Sequence, residues 1–253
     1  MADHDAALAE YALRLGDDSL ILGQRLSAWC GHAPMLEVDL SLTNLALDLV
    51  GQARHFLGHA AELRGLGEDA DALAFRRDAL DFRNSLMVEQ PNGDFARTIA
   101  RQFLFSAWQE PLFDALSASA DPALAAIAKK AVKEVAYHAR FAGEWVTRLG
   151  DGTEESRRRM VEGLDWMWRF TDELFAADAL EAELVARGVA ADRAILRTPW
   201  DQRVGGVLAE AGLEAPAPRR AVLGGREGRH SEHLGHLLCD LQFLQRAYPG
   251  AVW

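Results

Sequence analysis

Apolar positions along this chain recur at steps of three and four, and the alternation expected of strands is nearly absent. The pattern predicts a first helix over residues 6–29 and a second from the residue after Pro34 to 63. The segment Glu89-Gln90-Pro91-Asn92-Gly93-Asp94 is the clearest turn: Pro and Asn-Gly bend the chain, and Asp94 is placed to cap the next helix. That third long helix covers residues 95–117. Asp121-Pro122 sets a capping carboxylate before a proline at the first helical position and opens a fourth helix. The fourth stops at Leu149-Gly150, with Asp151-Gly152 as a turn. A fifth is predicted over 153–175, with shorter ones over 179–187 and 193–211. A Pro/Gly-rich loop, 215–228, precedes a last helix over 230–247. The charged stretch 71–83 fits either a short helix or a loop.

Several helices of about 20 residues or more joined by short turns predict an all-α fold, a four-helix bundle with additional helices. No internal repeat, low-complexity tract or long linker divides the chain, so residues 1–253 read as a single helical domain.

Two helices carry a heptad-like inner stripe. On the second it runs Leu42, Leu45, Leu49, Gln52, Phe56, His59 and Leu63. On the fourth it runs Leu124, Ala128, Ala131, Val135, His138, Ala142, Trp145 and Leu149. Such spacing holds each series on one face, which must be buried. Gln52 and His138 are then polar groups on apolar faces, and burying either without a hydrogen-bond partner costs about 1–3 kcal/mol.

A bundle that holds two metals needs a Glu from each of two helices and a Glu-x-x-His from each of the other two. Residues three apart share a face, and the carboxylates supply the charge that offsets the metals. The second helix reads Leu49-Val50-Gly51-Gln52, with an aliphatic in place of Glu and an amide in place of His. The fourth reads Val135-Ala136-Tyr137-His138, keeping only the His. One neutral imidazole does not anchor a diiron pair. The scaffold fits such a site and the residues do not, so no metal or cofactor and no catalytic residue is assigned to this chain.

Composition narrows the partners. A net charge of −11 argues against nucleic acid and anionic membranes, which select basic surfaces. Residues 1–13 carry Asp3, Asp5 and Glu10 without an apolar run, which predicts no signal peptide, and no stretch approaches about 20 uninterrupted apolar residues. Two cysteines, Cys30 and Cys239, without a C-x-x-C pattern suit a reducing cytoplasm and read as buried free thiols. The expectation is a soluble cytoplasmic protein.

Other polar groups invite sharper readings. Asp48, Gln52, His55, His59 and Glu62 form a polar stripe on the second helix, whose spacing permits a metal between Asp48 and His55 or between His55 and His59. A metal-dependent oxygenase built on Asp48, His55 and His59 is the alternative function; a solvated or partner-facing stripe is the plainer account. Glu134 and His138 are spaced to pair at the core's rim. His230, Glu232, His233 and His236 resemble a metal cluster without a recognised zinc spacing, and capping or an interface suits them better. Arg219, Arg220, Arg226 and Arg229 surround Gly224-Gly225 and have the chemistry to attract a carboxylate-rich surface or a phosphate, or simply to line a solvated loop. Trp108, Trp166 and Trp168 read as core or interface anchors.

Seven blocks carry a family resemblance: YALRLGDD at 11–18, WCGHAP at 29–34, NLALDLVGQAR at 44–54, VEQPNGDFA at 88–96, KEVAYHARF at 133–141, LDWMWRFT at 164–171 and HSEHLG at 230–235. Long and in order from residue 8 to 253, they make the chain resemble the C subunits of bacterial phenylacetyl-CoA epoxidases. The resemblance implies a ferritin-like fold close to that of the catalytic A subunit, but without metals. It implies that the A subunit holds the diiron centre and most of the phenylacetyl-CoA, and epoxidises the ring with molecular oxygen and electrons from a reductase component. The C subunit pairs with it in a soluble, active hetero-oligomer. Against the catalytic pattern, Leu49 and Gln52 fall on the first Glu-x-x-His pair, Val135 and His138 on the second, and a further acidic position falls near Ser106. The carboxylate position expected on the first helix finds no counterpart in the sequence pattern.

Overall fold

The computed structural model describes the backbone of residues 2–251 and the side chains of 6–251. The side chains of Asp3 and Asp5, and residues 252 and 253 at the end of the resembling stretch, lie outside the described residues. The all-α class expected from the periodicity holds, and no strand occurs among the described residues. The chain folds as two compact units: residues 1–91 with 224–253, and residues 92–223.

The first unit is built on α1 (Ala2–Ser27) and α2 (Leu36–Arg64). Two glycines on α1 set how closely these helices pack and in which register. A Cβ at Gly16 would stand 2.7 Å from Leu57 Cδ2, and one at Gly23 would stand 3.3 Å from Leu49 Cβ, so the pair is antiparallel. The buried face of α2 includes Leu42, Leu45, Leu49, Gln52 and Phe56, as the stripe predicts, whereas His59 and Leu63 are half-buried. Stretch 71–83 resolves into α3 (Ala70–Phe75), capped by the Asp69 side chain on the Ala72 N–H at 2.8 Å, and a 3₁₀ turn, Ala79–Asp81. The last helix, numbered α10 in chain order, is Glu232–Ala247. It starts later than the pattern predicts because Glu89 holds both the His230 ring and the Ser231 N–H outside the helix.

The second unit is built on α4 (Phe95–Leu116) and α5 (Pro122–Gly150). Both N-termini are capped as the sequence predicts, by Asp94 on the Arg97 N–H at 2.9 Å and by Asp121 on the Leu124 N–H at 2.7 Å. On α5 the stripe is buried from Leu124 to Ala142, including Val135 and His138; Trp145 and Leu149 are half-buried, and Val146 carries the core at that end. Smaller helices come after it: α6 (Glu154–Trp168), α7 (Thr171–Phe175), α8 (Ala179–Ala186) and α9 (Arg193–Glu210). The single helix predicted over 153–175 is broken because the Arg169 carbonyl accepts the Val222 N–H at 3.0 Å and the Trp168 carbonyl accepts the Thr171 hydroxyl at 2.8 Å. Side-chain and loop donors take acceptors that the next helical turn would have used.

The cysteine expectation fails. Cys30, in the turn after α1, and Cys239, on α10, are both exposed free thiols. Cys239 lies one residue beyond the buried pair Leu237 and Leu238, where α10 has turned toward solvent. No helix among the described residues is long and apolar enough to cross a membrane.

Candidate functional site

Of the frame read from the sequence, Leu49 and Gln52 are buried within the first unit, and Ser106, Val135 and His138 within the second. In the first unit Leu49 packs against α1 at Gly23. Antiparallel register then sets Leu20, Ile21 and Leu22 at the level of Leu49 and Gln52, and all three are buried aliphatics. That level of the first helix carries no carboxylate.

The acids of α1 are turned to another purpose. Asp17 accepts from Arg77 Nη1 at 3.0 Å, from Arg77 Nη2 and from the Arg83 N–H at 2.8 Å. Asp18 accepts from the Ser85 N–H at 2.7 Å and from Arg226 Nη2 at 2.6 Å. Both carboxylates are fully buried, and with arginine and backbone donors they fasten loops to α1.

In the second unit, Phe103 lies against Gly143, which places Ser106 within about a turn of the level of His138 on the antiparallel helix. Ser106 Oγ accepts from Gln102 Nε2 at 2.7 Å, both side chains fully buried. Gln109 completes a buried polar row on α4 at steps of four and three. The family resemblance singles out only Ser106 of this row, although helical spacing puts the other two on the same face. The first unit's share of these positions offers one amide, from Gln52, and the second unit's offers one imidazole, amides and one hydroxyl; neither includes a carboxylate. Neither set fits a diiron pair, which needs several anionic oxygens.

The stripe on α2 does not gather either. Asp48 and His59 are half-buried while His55 and Glu62 are exposed, and no three His, Cys, Asp or Glu side chains among the described residues are grouped to hold a metal ion. Glu134 forms an ion pair with Lys130 at 3.7 Å. The arginines of the glycine loop separate. Arg226 pairs with Asp18 and Arg229 with Glu227 at 2.7 Å in the first unit, while Arg219 chelates Asp165 in the second. Trp108 is a fully buried anchor as expected, whereas Trp166 is half-buried between the Arg97 and Arg169 guanidiniums, 4.9 and 4.6 Å from its ring. The first unit also has an open cleft of about 860 Å³ lined by Arg64, Arg77, Arg83, Glu10 and Glu68. Its charges largely answer one another: Arg83 meets Glu10 and Arg64 meets Glu68, each at 3.4 Å.

The histidine cluster has a structural role rather than a metal. His230 Nδ1 meets Glu89 Oε2 at 2.7 Å and Nε2 meets the Phe82 carbonyl at 2.9 Å, while Glu232 and His236 are exposed. Both partners of the ring are acceptors, an arrangement that the protonated imidazole, donating from both nitrogens, satisfies in full. Burial lowers its pKa, but the Glu89 hydrogen bond and charge, with the Phe82 carbonyl and Asp17, outweigh it and hold it above the ordinary 6.5. A raised folded value means the stabilisation is complete below about pH 6.5 and is lost as pH climbs through the folded pKa. Urea unfolding midpoints should therefore fall across that alkaline window in the native chain, and His230→Gln should flatten this part of the profile. An unchanged profile in the variant would remove the buried ion pair as its source.

Comparison with known proteins bears on the same frame. A family model described as "Phenylacetic acid catabolic protein" matches residues 1–253. The chain belongs to that family. Within the phenylacetic acid catabolic family, it is 52% identical over 246 residues to the protein of Escherichia coli (strain K12) called the C subunit of 1,2-phenylacetyl-CoA epoxidase. The alignment covers 97% of this chain and 99% of that relative.

Proposed function

We propose that this chain is the non-catalytic C subunit of a phenylacetyl-CoA epoxidase, a cytoplasmic partner that supports the diiron-bearing catalytic A subunit in aerobic phenylacetate degradation. The observation that carries the reading is the replacement of ligand positions by buried aliphatics, Leu49 and Val135, in a chain similar along nearly its whole length to a protein called the C subunit of such an enzyme. An aliphatic side chain fills the volume of a ligand while removing the charge that would draw a metal in. The scaffold remains useful, as a set of packed helices with outer faces available to another polypeptide.

The test is expression with and without the catalytic partner. The chain purified alone should hold less than about 0.1 iron per chain and show no oxygenase activity, and it should co-purify stoichiometrically with that partner. Near two irons per chain with oxygen chemistry intact would overturn the proposal. The Asp48–His55–His59 oxygenase is tested by His55→Ala with His59→Ala in the reconstituted complex, where the expected epoxidation rate is that of the unaltered complex.

A further inference from the structure

Helix α2 carries two heptad seams, and the chain uses only one of them. The buried seam, Leu42, Leu45, Leu49, Gln52 and Phe56, packs within the protein. Nearly half a turn away runs a second, Leu36, Leu40, Thr43, Leu47, Val50 and Arg54, at steps of 4, 3, 4, 3 and 4. Leu36, Leu40, Leu47 and Val50 on this seam are 70%, 56%, 64% and 44% exposed, and Met35 before it is 50% exposed. Single exposed apolar residues are ordinary, but a regular row of them along about 21 Å of one helix is not.

Two glycines mark the same side. Gly51 and Gly58, one heptad apart, stand mid-helix with ordinary helical backbone, and a Cβ added at either meets nothing within 4 Å. Glycine is the costliest residue in a helix interior after proline, and here no turn and no internal neighbour requires it. Contrast Gly16 and Gly23 on α1, where a Cβ would strike α2. A small residue facing open space in one chain is what a close helix–helix approach from another chain needs.

We propose that this outer face of α2 is the docking surface for an α-helix of the catalytic partner, an assignment that rests on the function proposed above. The 4-3 spacing selects a helix, since a strand would match a period of two. Charge selects against a second copy of this chain. The solvent-side edge of the seam, following Glu37, Ser41, Asn44, Asp48, Gly51, His55, Gly58 and Glu62, is acidic in a chain of net charge −11. Two copies would set these edges together, whereas a helix with Lys or Arg beside an apolar stripe complements them. The occupant is therefore a basic-edged amphipathic helix whose backbone closes on Gly51 and Gly58.

The test uses the full chain co-expressed with the tagged catalytic partner. Leu40→Glu with Leu47→Glu alters only exposed side chains, so the free chain should keep its melting temperature while capture by the partner falls at least tenfold. Gly51→Leu separates docking from folding more sharply: it should hold or raise the melting temperature of the free chain and still reduce capture. Phe243→Glu, on the exposed side of α10, should leave capture unchanged. Equal capture of the native chain and both α2 variants overturns the assignment of this face while leaving the proposed function intact. A native chain that the catalytic partner does not capture overturns the proposed function, and this docking surface with it. A native chain that is dimeric alone, turned monomeric by Leu47→Glu with capture undiminished, gives the face to a second copy instead.

Discussion

Replacing Arg193 by Ala should cost about 3–5 kcal/mol of stability, among the largest effects of any single substitution in this chain. Arg193 and Glu181 are both buried, in α9 and α8. The guanidinium donates from Nη2 to Glu181 Oε1 at 2.7 Å and from Nε to Oε2, and from Nη1 to the Leu174 carbonyl at 2.9 Å. It also lies 5.4 Å from the centre of the Trp108 ring. One side chain thus ties three short helices to the long helix α4. Truncation leaves the Glu181 carboxylate buried without its cation, and that orphaned charge rather than the lost contact dominates the cost. The pair itself is worth less than its breakage, because both charges were removed from water to form it. Arg193→Met with Glu181→Leu should therefore recover most of the deficit in a denaturant titration. A double variant as unstable as Arg193→Ala alone would show that the hydrogen bonds, not the uncompensated charge, set the penalty.

The long elements of this fold were legible because their signals are local. Asp94 and Asp121 cap the helices they were expected to cap, and the α2 and α5 stripes are buried where the period of 3.6 requires. Frame residues Leu49, Gln52, Val135 and His138 could be placed for the same reason: helical spacing alone decides that they face inward. The features hidden in the sequence depend on partners far along the chain. Asp17 and Asp18 meet Arg77 and Arg226, 60 and 208 residues away. Glu89 meets His230 across 141 residues, so an apparent histidine-rich metal motif resolves into one buried ion pair and surface side chains. Two adjacent acids, Asp17 and Asp18, between the apolar positions Leu15 and Leu20 of α1 were the available hint, since buried carboxylates need partners. The break between α6 and α7 was hidden in the same way, because the Val222 N–H that takes the Arg169 carbonyl comes from a distant loop.

The outer seam of α2 is a different case. Its residues were visible in the sequence, but both faces of an amphipathic helix with two apolar rows read as core until the fold shows which row is covered. Only the three-dimensional exposure of Leu40 and Leu47 distinguishes a surface awaiting a partner from a second side of the interior.

Placing a carboxylate at Leu49 should fail for a reason that also explains why an aliphatic side chain suits that position. Leu49 is fully buried against α1, and its level on that helix is aliphatic from Leu20 to Leu22. A glutamate introduced there brings a charge with no cation beside it, and the effective penalty for burying such an ion is several kcal/mol. Leu49→Glu should therefore be strongly destabilised near neutral pH, whereas Leu49→Met, close in volume, should lose less than about 1.5 kcal/mol. Burial raises the pKa of the introduced carboxyl above its unfolded value of about 4.3, so the deficit should grow as pH rises from there and shrink on acidification. Unfolding curves at about pH 5 and about pH 8 test the sign. In a diiron protein the metals themselves supply the positive charge that makes inward carboxylates tolerable. Here the level of α1 against Leu49 is hydrocarbon too, from Leu20 to Leu22, so added ferrous iron should not rescue Leu49→Glu. Recovery of native stability by iron at the alkaline end, with metal retained on gel filtration, would mean that the first unit still holds enough donors to bind. Failure of that rescue would mean that the introduced carboxylate stays a buried charge without compensation, so that the aliphatic at Leu49 is what folding favours there.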